Sequence, residues 1–151
     1  MKRSPELSTL SREHHQSLRL ANKCLNTAAT GDRERCIALC QHILNIFTEE
    51  LDRHFHNEET GIFSITATMQ GKIHDLGVQL AEEHEQMRVM AAGMRQGNCD
   101  KLAAFGKLLK NHTRLEEREL FPLVEEQFSG RQLAQLEEKT RASSGQHDTC
   151  D

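Results

Sequence analysis

Two strings, His54-Phe55-His56-Asn57-Glu58 and His112-Thr113-Arg114-Leu115-Glu116, each set a histidine four residues before a glutamate. On a helix, residues four apart stand on one face, one turn above the other. Each string therefore aims an imidazole and a carboxylate at the same point. Each also interrupts an apolar stripe: Ile43, Phe47, Leu51 and Ile62 share a face with His54 and Glu58, and Leu102, Phe105, Leu109 and Leu123 share one with His112 and Glu116. A chain patterned this way has to close its two faces around something that accepts nitrogen and oxygen donors together. Single histidines on two further segments, at His14/His15 and at His84, complete a shell for two metal ions.

Helix-breaking residues are few and fall between periodic segments. Pro5 sits where a helix tolerates proline, in its first turn, and Leu7, Leu10, Leu18, Ala21, Leu25 and Ala28 follow at helical spacing. Gly31-Asp32 ends that segment, with Asp32 as the N-cap of the second helix. Gly61 to Gly71 reads as a looser connection. Ile73, Leu76, Leu80, His84, Met87, Ala91 and Met94 mark a third helix, Gly97-Asn98 a turn, and Asp100 the cap of a fourth. Ser129-Gly130 breaks the chain before a short terminal helix from Arg131 to Lys139, and residues 143–150 read as frayed or disordered. Period-two alternation is absent. The expected fold is all-α: an up-down-up-down antiparallel four-helix bundle over residues 1–140, with a short C-terminal helix, and a flexible tail over 141–151.

Composition narrows the function. The chain carries a net charge of −4 at pH 7 with both signs mixed, and it has no Trp or Tyr, so a nucleic-acid surface is not expected. No apolar run is long enough to cross a bilayer, so no membrane partner is expected. No apolar stretch follows Met1-Lys2-Arg3-Ser4-Pro5, which reads as the absence of a signal peptide and gives a cytoplasmic location as the default. Five cysteines at irregular spacing argue against a disulfide framework. Cys36 and Cys40, one helical turn apart, could ligate metal or respond to oxidants; the plainer reading is small packed hydrophobes. Cys150 falls in a polar tail. No nucleophile motif, phosphate loop or cofactor fingerprint is present.

Imidazole with carboxylate, and no cysteine among the donors, argues against a structural zinc site. Two divalent ions close together repel, and anions have to lie between them. Glu58 and Glu116 can each give one oxygen to each metal, with a water-derived oxo or hydroxo bridge as the third link. Four His and two Glu leave a coordination position open for O2, peroxide or NO. Zinc is a possible substitute for iron in such a donor set. His42, His56 and His74 fall off the inferred faces and read as surface, and His147 lies in the tail.

The segments Leu10–Leu18, His54–Glu59, Glu83–Met87 and His112–Pro122 together resemble the hemerythrin-like, or HHE cation-binding, family. The resemblance implies a four-helix bundle holding a non-haem di-iron centre bridged by the two glutamates and an oxo or hydroxo group, with His54, Glu58, His84, His112 and Glu116 as ligands. On the first helix the apolar stripe puts His14 in register. The family habit of an apolar residue three positions after the ligand points to His15, followed by Leu18. His15 is the preferred ligand on that habit, and His14 is the alternative or the hydrogen-bond partner of a carboxylate. Phe47, Phe55, Met87 and Phe121 are candidate linings of a small dry pocket, with Phe63 and Met90 beside them. Oxygen-carrying members place a second histidine one turn before the third-helix ligand, where this chain has Leu80. The family-typical Phe-Pro after the second-helix glutamates is Phe63-Ser64 here. The order of ligands looks like that of bacterial members linked to nitrosative stress, iron–sulfur repair or iron sensing.

Two functional readings stand side by side. One is a di-iron protein that binds or reacts with O2, peroxide or NO in sensing or stress protection. The other is a non-enzymatic module for iron storage, donation or sensing. A third, weaker reading is an interaction module in which metal serves as a structural staple. A small diatomic or peroxide ligand is the partner the first reading names; no protein partner is indicated.

Overall fold

The computed structural model of the chain describes residues 3–95 and 99–148, with side chains through residue 140. Every regular element among the described residues is helical. The expected Gly97-Asn98 turn lies outside them, as does Cys150.

Helix α1 (Pro5–Ala29) starts with proline in its first turn, where the missing N–H costs nothing. Gly31 turns the chain at φ +68°, a conformation that favours glycine, and its N–H donates to the Ala28 carbonyl at 3.2 Å. Asp32 then accepts from the Glu34 and Arg35 amides at 3.1 and 3.2 Å and opens α2 (Arg33–Ile46). A π-helical turn, Phe47–Asp52, carries α2 into α3 (Arg53–Thr60) without a break. After Gly61, the stretch expected to be loose contains a packed helix, α4 (Ile62–Thr66), with Ile62, Phe63, Ile65 and Thr66 buried. Helix α5 spans Lys72–Arg95.

A 3-10 turn, Cys99–Lys101, precedes α6 (Leu102–Leu115), whose N-cap position is Lys101. Asp100 therefore lies inside the turn and does not cap the helix as its sequence position suggested. A second π-helical turn, Glu116–Leu120, joins α6 to α7 (Phe121–Gln127). The last helix, α8 (Gly130–Asp148), is twice as long as the Arg131–Lys139 segment expected. Its start is fixed by a reciprocal cap: the Ser129 amide donates to the Gln132 side chain at 2.9 Å, and the Gln132 amide donates to Ser129 Oγ at 3.1 Å. No proline follows to stop it, and Gly145 alone is a weak breaker. The helix docks through Leu136, which is 1% exposed, and through Lys139 Nζ, which donates to the Thr60 carbonyl at 2.8 Å.

Four rods result: α1, then α2 through α3 with α4 following it, then α5, then α6 through α7. Helix α1 packs along α6, α2 along α5, and α5 along α6. Along each rod the buried residues come in three blocks. Leu7, Leu10, Ile62, Ile73, Leu80, Leu120 and Phe121 belong to one apolar cluster. Ala21, Cys24, Ile43, Met87, Leu102, Phe105 and Leu109 belong to another. His14, His54, Glu58, His84, His112 and Glu116, all buried, fall between the two. The apolar halves drive assembly and the polar layer is held where they meet.

The α1–α6 contact depends on Gly106. A Cβ there would stand 2.7 Å from Cys24 Cβ and 2.9 Å from the Ala21 carbonyl oxygen. Gly106→Ala gains about 1 kcal/mol of helix propensity, but overpacking costs about 1–3 kcal/mol, at the upper end where the obstacle is backbone. The expected result is a thermal midpoint lowered by several degrees in calorimetry. An unchanged or raised midpoint would show that the two helices part here freely.

Candidate metal centre

The register of each rod decides which side chains face inward. On α1 the buried positions are Leu7, Leu10, His14, Ser17, Ala21 and Cys24, a strict three–four stripe. His14 lies in it at 2% exposure. His15, one residue on and about 100° around the helix, is exposed. The structure thus corrects the choice between them: His14 reaches the centre and His15 does not. The helical stripe carried that signal, and the family habit at Leu18 pointed the other way. His42 and His56 are exposed, and His74 sits at the surface beside Asp75.

The other five expected residues converge with His14. Glu58 and Glu116 have no exposed surface. Glu58 Oε1 lies 3.0 Å from His84 Nε2 and 4.0 Å from His112 Nε2, while Glu58 Oε2 lies 3.4 Å from both His14 Nε2 and His54 Nε2. Glu116 Oε1 sits between the two sides, 3.1 Å from His112 Nε2 and 3.3 Å from His14 Nε2. The donors form two groups that share Glu58: His14, His54, Glu58 and Glu116 in one, and Glu58, His84 and His112 in the other. Within each group the ligand atoms lie within 4.8 Å of one another.

Each imidazole is oriented by a second carboxylate on its far nitrogen. His14 Nδ1 donates to Glu117 at 2.6 Å, His54 Nδ1 to Glu13 at 2.8 Å, His84 Nδ1 to Glu59 at 2.7 Å and His112 Nδ1 to Glu83 at 2.8 Å. This fixes the tautomer and turns the Nε2 lone pair toward the centre. Arginines hold two of these outer acids. Arg88 Nη1 donates to Glu59 at 2.9 Å, and Arg3 pairs with Glu117 at 3.4 Å and donates to its backbone carbonyl. The outer four were not among the residues read from the sequence. Their signal was adjacency, since Glu13, Glu59, Glu83 and Glu117 each neighbour a residue of the centre.

The aromatic residues pack on imidazoles or into core. Phe55 stacks on His84 at 4.2 Å between ring centroids, and Phe121 on His14 at 5.3 Å. Phe47 meets Phe55 edge-on at 6.3 Å, and Met87 is fully buried in the apolar cluster. Phe47, Phe55, Met87 and Phe121 do not form the wall of the cleft beside His54. That cleft, about 130 Å³, is lined by Glu13, Gln16, Ser17, Leu20, Ile46, Glu50, Leu51, Arg53 and His54.

The donor set suits a cation. His14 Nε2, Glu58 Oε2 and both Glu116 oxygens are buried without a hydrogen-bond partner, and His84 Nε2 faces His112 Nε2 at 3.2 Å. Buried polar atoms left unpaired are costly, and cations held by the two groups would satisfy them. Without metal, protons take its place. Burial pulls the His54 imidazole down, but Glu58 and Glu13 outweigh it and hold it at about 9. His14 and His112 are likewise raised well above the ordinary value, against their own desolvation, by Glu116 with Glu117 and Glu58 in one case and by Glu116 with Glu58 and Glu83 in the other. Despite its own burial, Glu58 is held well below the usual carboxylate range by His54 and by hydrogen bonding with Glu116, His112 and His14.

The sign follows. A raised histidine stabilises the metal-free fold fully below its unfolded value of 6.5, and for His54 that contribution is lost as pH climbs through about 9. Metal binding competes with the same protons and strengthens over that interval. Titrating the chain with Fe2+ or Zn2+ at pH 7.5 should release roughly two or more protons per molecule, and the rise in melting temperature on metal addition should grow from pH 6.5 to 9. A metal-induced rise that is flat with pH would contradict this protonation scheme.

Neither the curated proteins nor the solved structures compared with the chain gave a match. A family model does: the hemerythrin HHE cation binding domain matches residues 6–124, a span that contains all four rods' contributions to the centre. The chain belongs to the hemerythrin HHE cation-binding family.

Proposed function

We propose that this chain is a non-haem di-iron protein that binds or reacts with O2, peroxide or NO, in sensing or in protection against such species. The observation that carries the reading is the posture of Glu58: its two oxygens face two different histidine pairs, as a carboxylate spanning two cations would. Glu116 Oε1, placed between His14 and His112, adds the second anion between them. Nitrogen and oxygen donors without thiolate suit iron better than a structural zinc.

A pair of irons, with the oxo or hydroxo bridge the family implies, supplies redox electrons and open coordination positions for a small ligand. The chain's own residues shape that chemistry. Leu80, one turn before His84, is an apolar residue with no exposed surface and offers no donor. A cation held by His84 and His112 would keep a position open for a small ligand. Phe55 stacked on His84 and Phe121 on His14 exclude bulk water from the two ends of the donor array. The cleft at His54, rimmed by the Glu13–Arg53 ion pair at 3.8 Å, offers a path for a molecule of a few atoms.

The order of apolar clusters along the rods supports an up-down-up-down bundle in this reading. On α1 and α5 the Leu7–Leu80 cluster comes before the histidine, and on the other two rods it comes after. Such alternation sets the four rods antiparallel in turn.

Chain purified from iron-supplemented cells should contain about two irons per molecule, as a paired-ion site requires, and show near-ultraviolet absorption that changes on adding peroxide or NO. Glu58→Gln, which keeps shape and removes the charge, should lower iron to well under two. Two irons with no ligand-induced spectral change would favour the iron-storage or iron-donation reading instead.

A further inference from the structure

The four outer carboxylates are not held alike. Glu83 accepts from the Gln79 side-chain amide at 3.0 Å, and Glu13 lies 3.8 Å from Arg53. Glu117 accepts from Ser11 Oγ at 3.0 Å and from Arg3 Nε at 3.4 Å. Glu59 is gripped differently. Both of its oxygens sit on one guanidinium, Oε2 accepting from Arg88 Nη1 at 2.9 Å and Oε1 from Arg88 Nη2 at 3.1 Å. Among the described residues no other outer acid has both oxygens on a single arginine. Arg88 is itself fixed, since its Nε donates to Asp52 Oδ1 at 2.6 Å and its Nη1 also donates to Glu85. Asp52 closes the π-helical turn of the second rod, and Arg88 stands one turn after His84 on α5. The guanidinium also lies over the Phe55 ring, 5.8 Å from its centroid, and Phe55 is the ring that stacks on His84 at 4.2 Å. Arg88 thus touches both groups that fix the plane of His84: the carboxylate on its Nδ1 and the aromatic ring on its face.

We propose that Arg88 is a positioning residue for His84, acting through Glu59 to hold the His84 Nε2 toward Glu58 and His112. A half-buried glutamate left to itself turns among several rotamers and meets water. The planar fork of an arginine removes that freedom, because two parallel hydrogen bonds fix the carboxylate in plane as well as in place. Glu59 Oε2 then serves Arg88 Nη1 and His84 Nδ1, the latter at 2.7 Å, at the same time. With Nδ1–H committed to Glu59, the lone pair of His84 lies on Nε2. That atom is 3.0 Å from Glu58 Oε1 and 3.2 Å from His112 Nε2. A lysine would supply the charge without the fork. The inference rests on the reading of His84 as a metal donor only for its affinity measurement, and it is independent of which small ligand the centre takes.

The test compares the full chain with Arg88→Met, Arg88→Lys, Glu59→Gln and the Arg88→Met/Glu59→Gln double variant. The first readout needs no metal: proton NMR of the ring N–H groups in chain carrying isotope-labelled histidine. In the parent the His84 ring N–H should exchange slowly with water. Arg88→Met should lose that signal to exchange while the His54 and His112 ring signals stay, a selectivity that general unfolding would not show. Arg88→Lys should be intermediate, and it carries the comparison where the methionine variant does not fold. The second readout is zinc affinity, measured by competition with a chromophoric chelator. It should fall about tenfold in Arg88→Met, and the double variant should fall no further than Glu59→Gln alone, because the arginine works through that glutamate. An unchanged His84 signal in Arg88→Met, its full recovery in Arg88→Lys, or losses of zinc affinity that multiply in the double variant would each overturn the proposal. A parent chain that takes up no zinc would count against the metal-centre reading alone, and the ring N–H comparison then decides the role of Arg88 by itself.

Discussion

Glu58 and Glu116 are carboxylates without exposed surface, and the ion-pair partners the fold gives them among the described residues are imidazoles alone. Burying an anion costs several kcal/mol even after relaxation. Among the described residues no lysine or arginine answers them, although Arg3 and Arg88 stand one layer further out. The remaining features of the molecule are consequences of that uncompensated charge. Four imidazoles converge on it, four outer carboxylates orient the imidazoles, and two apolar clusters clamp the layer from above and below. A cation resolves the charge; in its absence His14, His54 and His112 hold protons and serve as a partial substitute.

The outer carboxylates close a ring. Glu13 of the first rod reaches His54 of the second, Glu59 of the second reaches His84 of the third, Glu83 of the third reaches His112 of the fourth, and Glu117 of the fourth returns to His14. The sequence carries the same order twice: Glu-His at 13–14 and 83–84, and His-x-x-x-Glu-Glu at 54–59 and 112–117. Phe63 and Phe121, each nine residues after its histidine, lie 5.3 Å from His84 and His14 respectively. Two halves of similar plan thus face each other, which is why a single pattern of spacing yields two candidate donor groups. The two groups share Glu58, and Glu116 Oε1 lies between His14 and His112. Both His-x-x-x-Glu strings also abut a π-helical turn, a local widening of the helix that occurs often at functional sites.

Spacing made the inner layer legible. Residues at i and i+4 on apolar stripes have few other uses, and Glu58, Glu116, His54, His84 and His112 all meet where that spacing aims them. His14 over His15 was also written in the stripe, and was obscured by a rule about a neighbouring leucine. The outer acids were harder to see because a glutamate next to a ligand faces sideways, where most glutamates simply meet water. Helix α4 and the length of α8 escaped for a different reason. Both depend on tertiary docking, through Ile62 and Phe63 in one and Leu136 and Lys139 in the other, and local propensity does not contain it. That Cys24, Cys40 and Cys99 join one apolar cluster was equally invisible, since they come from three separate elements.

The central claim is that one buried carboxylate spans two cations. Anomalous diffraction at the iron edge from an iron-loaded crystal tests it most directly. The account predicts two peaks about 3.5–4 Å apart, one among His14, His54 and Glu116, the other beside His84 and His112, with Glu58 between them. A single peak, or iron seated away from Glu58, would contradict it.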